Sequence, residues 1–387
     1  MIFDNIFSAI EARREEYIAF WQDVCNMESP TLDKAGVDAV GRYFIEKARE
    51  RGWKTEVLEQ PVSGDAICIT MNPDAKGAPV AISGHMDTVH PVGSFGSPAV
   101  RIDRQAGRIF GPGVTDCKGG IVAGFYAMDA LRACGFTDRP VLLLLQSDEE
   151  NSSKTSGKAT INWICEKAKN CVAFFNMEGE KDGGNLGVIT RKGILRYRLT
   201  VTGQAAHSSN CAEKGINAIA EAAHKLLELE KMKDDAGLTC NCGVIEGGTV
   251  ANTVPEICSF VADIRFATKE QMKQAEETVR AVAAHSYLAG SSCTVEMVSM
   301  RVSMEPCERN SALLERMNAV YAEAGLPRLL PGNSKGGSDA ADVTVYGIPC
   351  VDSLGVYGKN IHSVNEYADI ESLPRSAKRL AAVIAGL

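Results

Sequence analysis

Four short runs stand out along the chain, at residues 78–83, 141–146, 171–176 and 348–354. Each is apolar at nearly every position rather than at alternate ones, which is the pattern of a strand covered on both faces. Segments with apolar residues at helical spacing lie around them: a first helix running to about Met27, a second over 36–51, and others over 119–134 and 159–168. Strands alternating with helices in this way predict an α/β domain, doubly wound around a mostly parallel sheet.

The period changes in the middle of the chain. Residues 194–202 alternate as a strand, 216–232 read as a helix, 240–246 and 257–266 as strands, 269–289 as a long amphipathic helix and 293–302 as a strand. The order βαββαβ is that of a ferredoxin-like α+β unit. The α/β pattern resumes at Ser311. The expected organisation is therefore one α/β domain built from 1–190 and 306–387, interrupted by an inserted α+β domain over 191–305.

Polar residues follow each apolar run. Gly84-His85-Met86-Asp87 comes after the first, Asp148-Glu149-Glu150 after the second, Met177-Glu178-Gly179 after the third, and His362 past a short loop after the fourth. Open α/β sheets bind ligands beyond the carboxyl ends of their strands, so these segments deliver two imidazoles and several carboxylates to one edge. Asp116 joins them, just before a helix that starts with glycine. So many carboxylates would repel one another if buried alone, and a cation resolves the conflict. Mixed imidazole and carboxylate donors suit zinc, cobalt or manganese better than calcium. Five ligands exceed the three of one catalytic zinc, so two ions about 3.5–4 Å apart with a bridging carboxylate fit better. Glu149 and Glu150 are neighbours and point different ways on an extended segment; one can bind metal while the other faces the water as a general base. Asp87 can orient the His85 ring.

Composition narrows the class. Forty-one basic residues against 49 acidic give a net charge of −8, which argues against nucleic acid as a partner. The 13 cysteines lack the spacing of a disulfide framework and read as buried thiols in a reducing compartment; Cys240 and Cys242 would share one face of a strand as core residues. No signal-peptide pattern opens the chain and no run of 18 apolar residues occurs, so the expectation is a cytoplasmic protein without a membrane partner.

At these residues the chain resembles a zinc-dependent metallopeptidase family, the one containing glutamate carboxypeptidase, aminoacylase, acetylornithine deacetylase and succinyl-diaminopimelate desuccinylase. The matching segments are Gly84-His85-Met86-Asp87-Thr88-Val89, Gly111-Pro112-Gly113-Val114-Thr115-Asp116-Cys117-Lys118-Gly119-Gly120 and Asp148-Glu149-Glu150. Further along come Gly203-Gln204-Ala205-Ala206-His207-Ser208, Gly247-Gly248-Thr249-Val250-Ala251-Asn252, Ala262-Asp263-Ile264-Arg265 and Gly336-Gly337-Ser338-Asp339-Ala340. The likeness spans nearly the whole chain and leans to the glutamate carboxypeptidase branch.

The resemblance implies specific roles. His85 and Glu178 would hold one divalent ion, Glu150 and His362 the other, and Asp116 would bridge them. Zinc is the expected metal, with cobalt or manganese as alternatives. Glu149 would be the base that deprotonates a water held between the metals, with Asp87 supporting it. His207, on the inserted domain, would stabilise the oxyanion, and it and Asn252 can come from a partner subunit in related enzymes. Arg265 would grip a substrate carboxylate, and Gly336, Gly337 and Ser338 would line the substrate site. The inserted domain would act as lid and as homodimerisation surface. The implied reaction is hydrolysis of an amide in a small peptide or an N-acyl amino acid.

Three positions depart from the family pattern. Cys117 stands where relatives often carry Met or Asp, after a bond that is typically cis. Gly179 follows Glu178 where proline is frequent. Glu305 precedes Pro306 where the glutamate-selective relative has a basic residue, which weighs against strict glutamate specificity. His224 and His285 fall in helical segments and carry no assigned chemistry, and His90 reads more simply as structural than as cleft-lining. Two competing classes are weaker. A non-catalytic binding protein of this fold should lack the base or a ligand, and a serine hydrolase using Ser208 or Ser338 should show a Gly-x-Ser-x-Gly elbow.

Overall fold

The computed structural model describes residues 2–387. The chain divides into two compact units: Met1–Thr190, Pro306–Asn333 and Ser338–Leu387 form one, and Arg191–Glu305 with Ser334–Gly337 form the other. Each has its own hydrophobic core.

The first unit is built on a six-stranded sheet in the order Lys54–Leu58, Ala66–Met71, Val141–Gln146, Val80–His85, Phe174–Asn176, Cys350–Val351. The last four strands run parallel, pairing Val80 with Val141, Ala81 with Phe174 and Cys350 with Phe174. Every residue of Val141–Gln146 and Val80–His85 is buried, as strands covered on both faces require. The first two strands join antiparallel at one edge; the apolar pattern had not singled them out. The architecture is the expected α/β fold with a mostly parallel sheet.

Helix Lys118–Ala133 is buried on nearly all sides. Its first turn lies so close to neighbouring backbone that a Cβ on Gly120 would stand 1.9 Å from the carbonyl oxygen of Met177. Glycine there lets the helix press against the segment that carries Glu178. The expected first helix is two, Ile2–Ala12 and Arg14–Asn26, because Arg13 between them leaves helical geometry. The run at 348–354 forms a strand only over Cys350–Val351. Ser353 takes a positive φ of 62°, which turns the chain out of the sheet.

The second unit holds a four-stranded antiparallel sheet in the order Thr239–Gly247, Ile257–Phe266, Gly193–Thr202, Ser292–Arg301. Along Ile257–Phe266, buried Cys258, Phe260, Ala262, Ile264 and Phe266 alternate with more exposed residues, and the buried set packs with helices Ala218–Leu229 and Lys269–Ala284. This is the ferredoxin-like arrangement. The second helix stops at Ala284 rather than 289. The N–H groups of Tyr287 and Leu288 instead donate to the buried carboxylate of Glu221, at 3.2 and 2.7 Å.

All 13 cysteines are free thiols. Among the described residues, no helix is long and apolar enough to cross a membrane.

Candidate metal centre

Five elements of the first unit converge on one cluster. His85 is the last residue of Val80–His85. Glu149 and Glu150 open the 3-10 turn Glu149–Asn151, which follows Val141–Gln146 after Ser147 and Asp148. Glu178 lies two residues beyond Phe174–Asn176. Asp116 precedes helix Lys118–Ala133, and the peptide joining it to Cys117 is cis. His362 has a different carrier from the one expected. It is presented not by the short strand Cys350–Val351 but by the loop joining Gly358–Lys359 to Tyr367–Asp369 in a separate antiparallel sheet. There it adopts a positive φ of 61°.

The distances define two groups that share one carboxylate. Asp116 Oδ1 lies 3.2 Å from His85 Nε2, and Oδ2 lies 3.2 Å from His362 Nε2. Glu178 Oε1 stands 3.7 Å from His85 Nε2, and Glu150 Oε2 3.4 Å from His362 Nε2. Donor atoms of His85, Asp116 and Glu150 all fall within 4.8 Å of one another, as do those of His85, Cys117 and Glu178. The second group brings a thiol close that the sequence reading had not counted as a donor; its Sγ is directed at the Met177 carbonyl, 3.3 Å away. Imidazole nitrogens and carboxylate oxygens at this spacing fit two divalent ions.

Asp87 is fully buried and organises the cluster from behind. Its carboxylate accepts the N–H of Glu149 at 3.1 Å, the N–H of Glu150 at 3.2 Å and the hydroxyl of Thr31 at 2.7 Å. Its backbone carbonyl lies 2.9 Å from His85 Nδ1. A carbonyl only accepts, so Nδ1 carries a proton, and Nε2 is the nitrogen left for a metal once its own proton is lost.

The charges follow from the crowding. Burial, reinforced by the Asp116 charge, pushes Glu150 up to about 8. Hydrogen bonds to Asp116 and Glu150 push His362 up to about 10. Burial opposes a charged Asp116, but contacts with His362 and His85 overcome it and hold the group well below the usual carboxylate range. Burial also opposes a charged His85, yet the neighbouring Cys117 and Asp116 raise it well above its ordinary value. Protons on the imidazoles thus balance the acids where cations would otherwise do so.

The remaining residues named from the sequence lie elsewhere. His207 is exposed on a two-stranded ribbon that pairs it with Thr253, next to Asn252. The Ser208 N–H donates to the Asn252 carbonyl at 2.9 Å. The Ser209 N–H donates to His207 Nδ1 at 3.3 Å. The proton of a neutral His207 therefore sits on Nε2. Arg265 lies on the sheet face away from the helices and forms a two-point pair with Asp263, at 2.6 and 3.2 Å. The carbonyls of Gly336 and Gly337 accept from Arg191 Nη1 at 3.2 and 3.3 Å. The Ser338 side chain is buried and donates to Asp352 at 2.6 Å. Glu305 Oε1 accepts the N–H of Lys269 at 3.0 Å and so caps helix Lys269–Ala284.

Thr31 and Glu366 escaped the sequence reading. Each is a single polar residue in a loop, with no motif or period to mark it, although Glu366 follows His362 by only four positions.

Residues 81–386 match the peptidase family M20/M25/M40. The chain is 28% identical over 390 residues to carboxypeptidase G2 of Pseudomonas sp. (strain RS-16), covering 99% of this chain and 92% of that protein. A tripeptidase from Staphylococcus aureus shares the fold with a TM-score of 0.79 at 22% identity, covering 96% of this chain and 97% of that one. The YXEP protein of Bacillus subtilis, described as a dinuclear metal binding peptidase, gives a TM-score of 0.66 at 18% identity, covering 97% of this chain and 99% of that one. The family match covers most of the chain, and the chain belongs to the peptidase family M20/M25/M40.

Proposed function

We propose that the protein is a two-metal hydrolase that cleaves an amide bond in a small substrate carrying a free carboxylate. The observation that carries this reading is the Asp116 carboxylate, with one oxygen 3.2 Å from His85 and the other 3.2 Å from His362. In this reading His85 and Glu178 would hold one ion, Glu150 and His362 would hold the other, and Asp116 would serve both. Zinc suits the donor set, with cobalt and manganese as alternatives. When bound, the ions supply Lewis acidity to the scissile carbonyl.

The chain's own residues do the rest. Glu149 takes a proton from the attacking water as the new C–O bond forms, then passes it to the amine nitrogen as the C–N bond breaks. Asp87 holds Glu149, Glu150 and His85 in place for this. His207 donates its Nε2–H to the oxygen that gains charge in the tetrahedral state. Asn252 stands beside it, and Arg265 takes the substrate carboxylate in its planar fork. Gly336, Gly337 and the Ser338 backbone line the substrate site.

The unit around 191–305 serves as lid and as the surface of a homodimer in this reading, and the compartment is the cytoplasm. The substrate class is a dipeptide, a peptide cut at its C-terminal residue, or an N-acyl amino acid. An anionic Glu305 disfavours an acidic side chain.

Glu149→Ala tests the assignment. It should keep both ions while turnover falls by about 10²–10⁴-fold against a panel of dipeptides and N-acyl amino acids. Chelation should abolish activity, and zinc, cobalt or manganese should restore it. Full turnover in the metal-stripped protein or in Glu149→Ala would overturn the reading.

A further inference from the structure

Glu366 is wholly buried, and its carboxylate gathers four partners. Oε1 accepts the backbone N–H of Thr115 at 2.8 Å and of Asp116 at 3.1 Å. Oε2 accepts the N–H of Gly113 at 3.3 Å and stands 2.8 Å from His90 Nε2. A carboxylate in this position is an acceptor, so His90 Nε2 carries a proton toward it. The His90 ring is itself buried and meets Phe95 edge-on, with centroids 4.9 Å apart.

Residues 113–116 belong to no helix or strand, so their buried N–H groups find no partner in a regular ladder. Glu366 supplies one. The consequence is orientational. The Asp116 N–H fixes its peptide plane, and that plane sets the direction of the side chain reaching both imidazoles. Glu366 also grips the second loop of the cluster. Its N–H donates to the Ser363 carbonyl at 2.9 Å, within the loop that carries His362, and its carbonyl accepts the Gly111 N–H at 3.3 Å.

We propose that Glu366 is a positioning residue that holds the Asp116 carboxylate and the His362 loop in one register, with His90 as its anchor, and so sets the geometry of the paired metal positions. This rests on the reading of Asp116 as the bridge between two ions. Glu366 reaches the cluster only through the backbone N–H of Asp116, and His90 acts through Glu366.

Glu366→Gln tests the idea. The amide keeps the size and one acceptor oxygen but turns the other acceptor into an NH2 group facing an N–H. Metal affinity is read by competition with a chelator, ligand geometry by the visible absorption of the cobalt-loaded protein, and turnover by separate kcat and KM. We expect a folded protein whose weaker ion binds about 10–100-fold less tightly, with kcat down by a similar factor and a shifted cobalt spectrum. KM should stay within about twofold, because ground-state substrate contacts are untouched. His90→Ala should move all three readouts the same way by less, and His90→Gln, which can still donate to Glu366, should recover most of the loss.

A purely structural Glu366 would lower thermal stability alone. Glu366→Gln with unchanged ion affinities, kcat and cobalt spectrum would overturn the proposal. Should Glu366→Gln fail to fold, the same unchanged readouts in His90→Ala would overturn it. Asp116→Asn separates the two levels. If it binds both ions and turns over normally, the bridging reading itself fails. If it loses an ion while Glu366→Gln does not, only the positioning role fails.

Discussion

The backbone N–H of Glu149 donates to the carboxylate of Asp87 at 3.1 Å. The other oxygen of that carboxylate takes the N–H of Glu150 at 3.2 Å, and the Asp87 carbonyl faces His85 Nδ1 at 2.9 Å. One aspartate thus aims an imidazole and two adjacent glutamates whose roles differ. A 3-10 turn makes the difference possible, since it directs consecutive side chains apart while both N–H groups point back at the same carboxylate.

Asp87→Ala should therefore damage chemistry more than folding. With the N–H groups of the turn released and the Thr31 hydroxyl left only the Thr88 carbonyl at 3.4 Å, we expect metal affinity and kcat each to fall by about 10–100-fold. Metal titration and steady-state kinetics check this. Unchanged kcat with both ions bound would mean that the turn holds its shape without Asp87.

Metal loading should release protons, and the amount should depend on pH. The metal-free cluster holds a proton on His362, pushed up to about 10, and at neutral pH largely on Glu150, pushed up to about 8. His85 is raised well above its ordinary value as well. For these raised groups, the stability of the metal-free fold is fully present below the ordinary values of 6.5 for His362 and 4.5 for Glu150. It is lost as pH rises through about 8 for Glu150 and about 10 for His362. Ions compete with those protons, so affinity should climb with pH. At pH 7 loading should expel about two to three protons, and fewer at pH 9. Calorimetry in buffers of different ionisation enthalpy measures the count. Equal heats in all buffers would show that the ligands hold no protons before the ions arrive.

Acid should destabilise the first unit through Asp129. This buried carboxylate accepts from Tyr17 and Arg51, each at 2.8 Å, from Arg132 at 3.1 Å, and from Arg13. Burial works against its charge, but Arg51 and the other donors win and lower it to about 2. For a depressed carboxylate, the contribution is present above the ordinary value of 3.8 and lost as pH falls through about 2. Asp129→Ala removes the acceptor of the buried Tyr17 hydroxyl and of Arg51 Nη2, while Arg51 Nη1 keeps the Lys47 carbonyl at 2.9 Å, and should cost about 1–3 kcal/mol at neutral pH. Denaturant unfolding of the two proteins at pH 7 and below pH 3 tests both points, because the difference between them should shrink in acid.

Much of the fold and several of the cluster residues were legible in the sequence for a local reason. A strand buried on both faces leaves a run of apolar residues, and a ligand-bearing turn directly after it is adjacent in sequence. His85 ends such a strand, and Glu149, Glu150 and Glu178 follow theirs within a few residues. Asp116 was visible through its glycine-rich surroundings, which the close approach of helix Lys118–Ala133 explains.

Other features had no local mark. The carrier of His362 is a loop between two-residue and three-residue strands, too short to leave a period. Helix Lys269–Ala284 ends early because a glutamate on another helix captures the following N–H groups. The inward turn of the Ser338 hydroxyl depends on the buried Asp352, 14 residues further on.

The sequence by itself determined the four parallel strands of the first unit, where the α/β pattern gives way to βαββαβ, and which segments bear imidazoles and carboxylates. Only the tertiary structure decided that Asp116 divides its two oxygens between His85 and His362, and that Glu366 holds the loop from which it does so. Apolar periodicity is a property of neighbours along the chain. The meeting of side chains 31 and 246 residues apart depends on long-range packing and on buried N–H groups finding acceptors, and no local pattern carries that information.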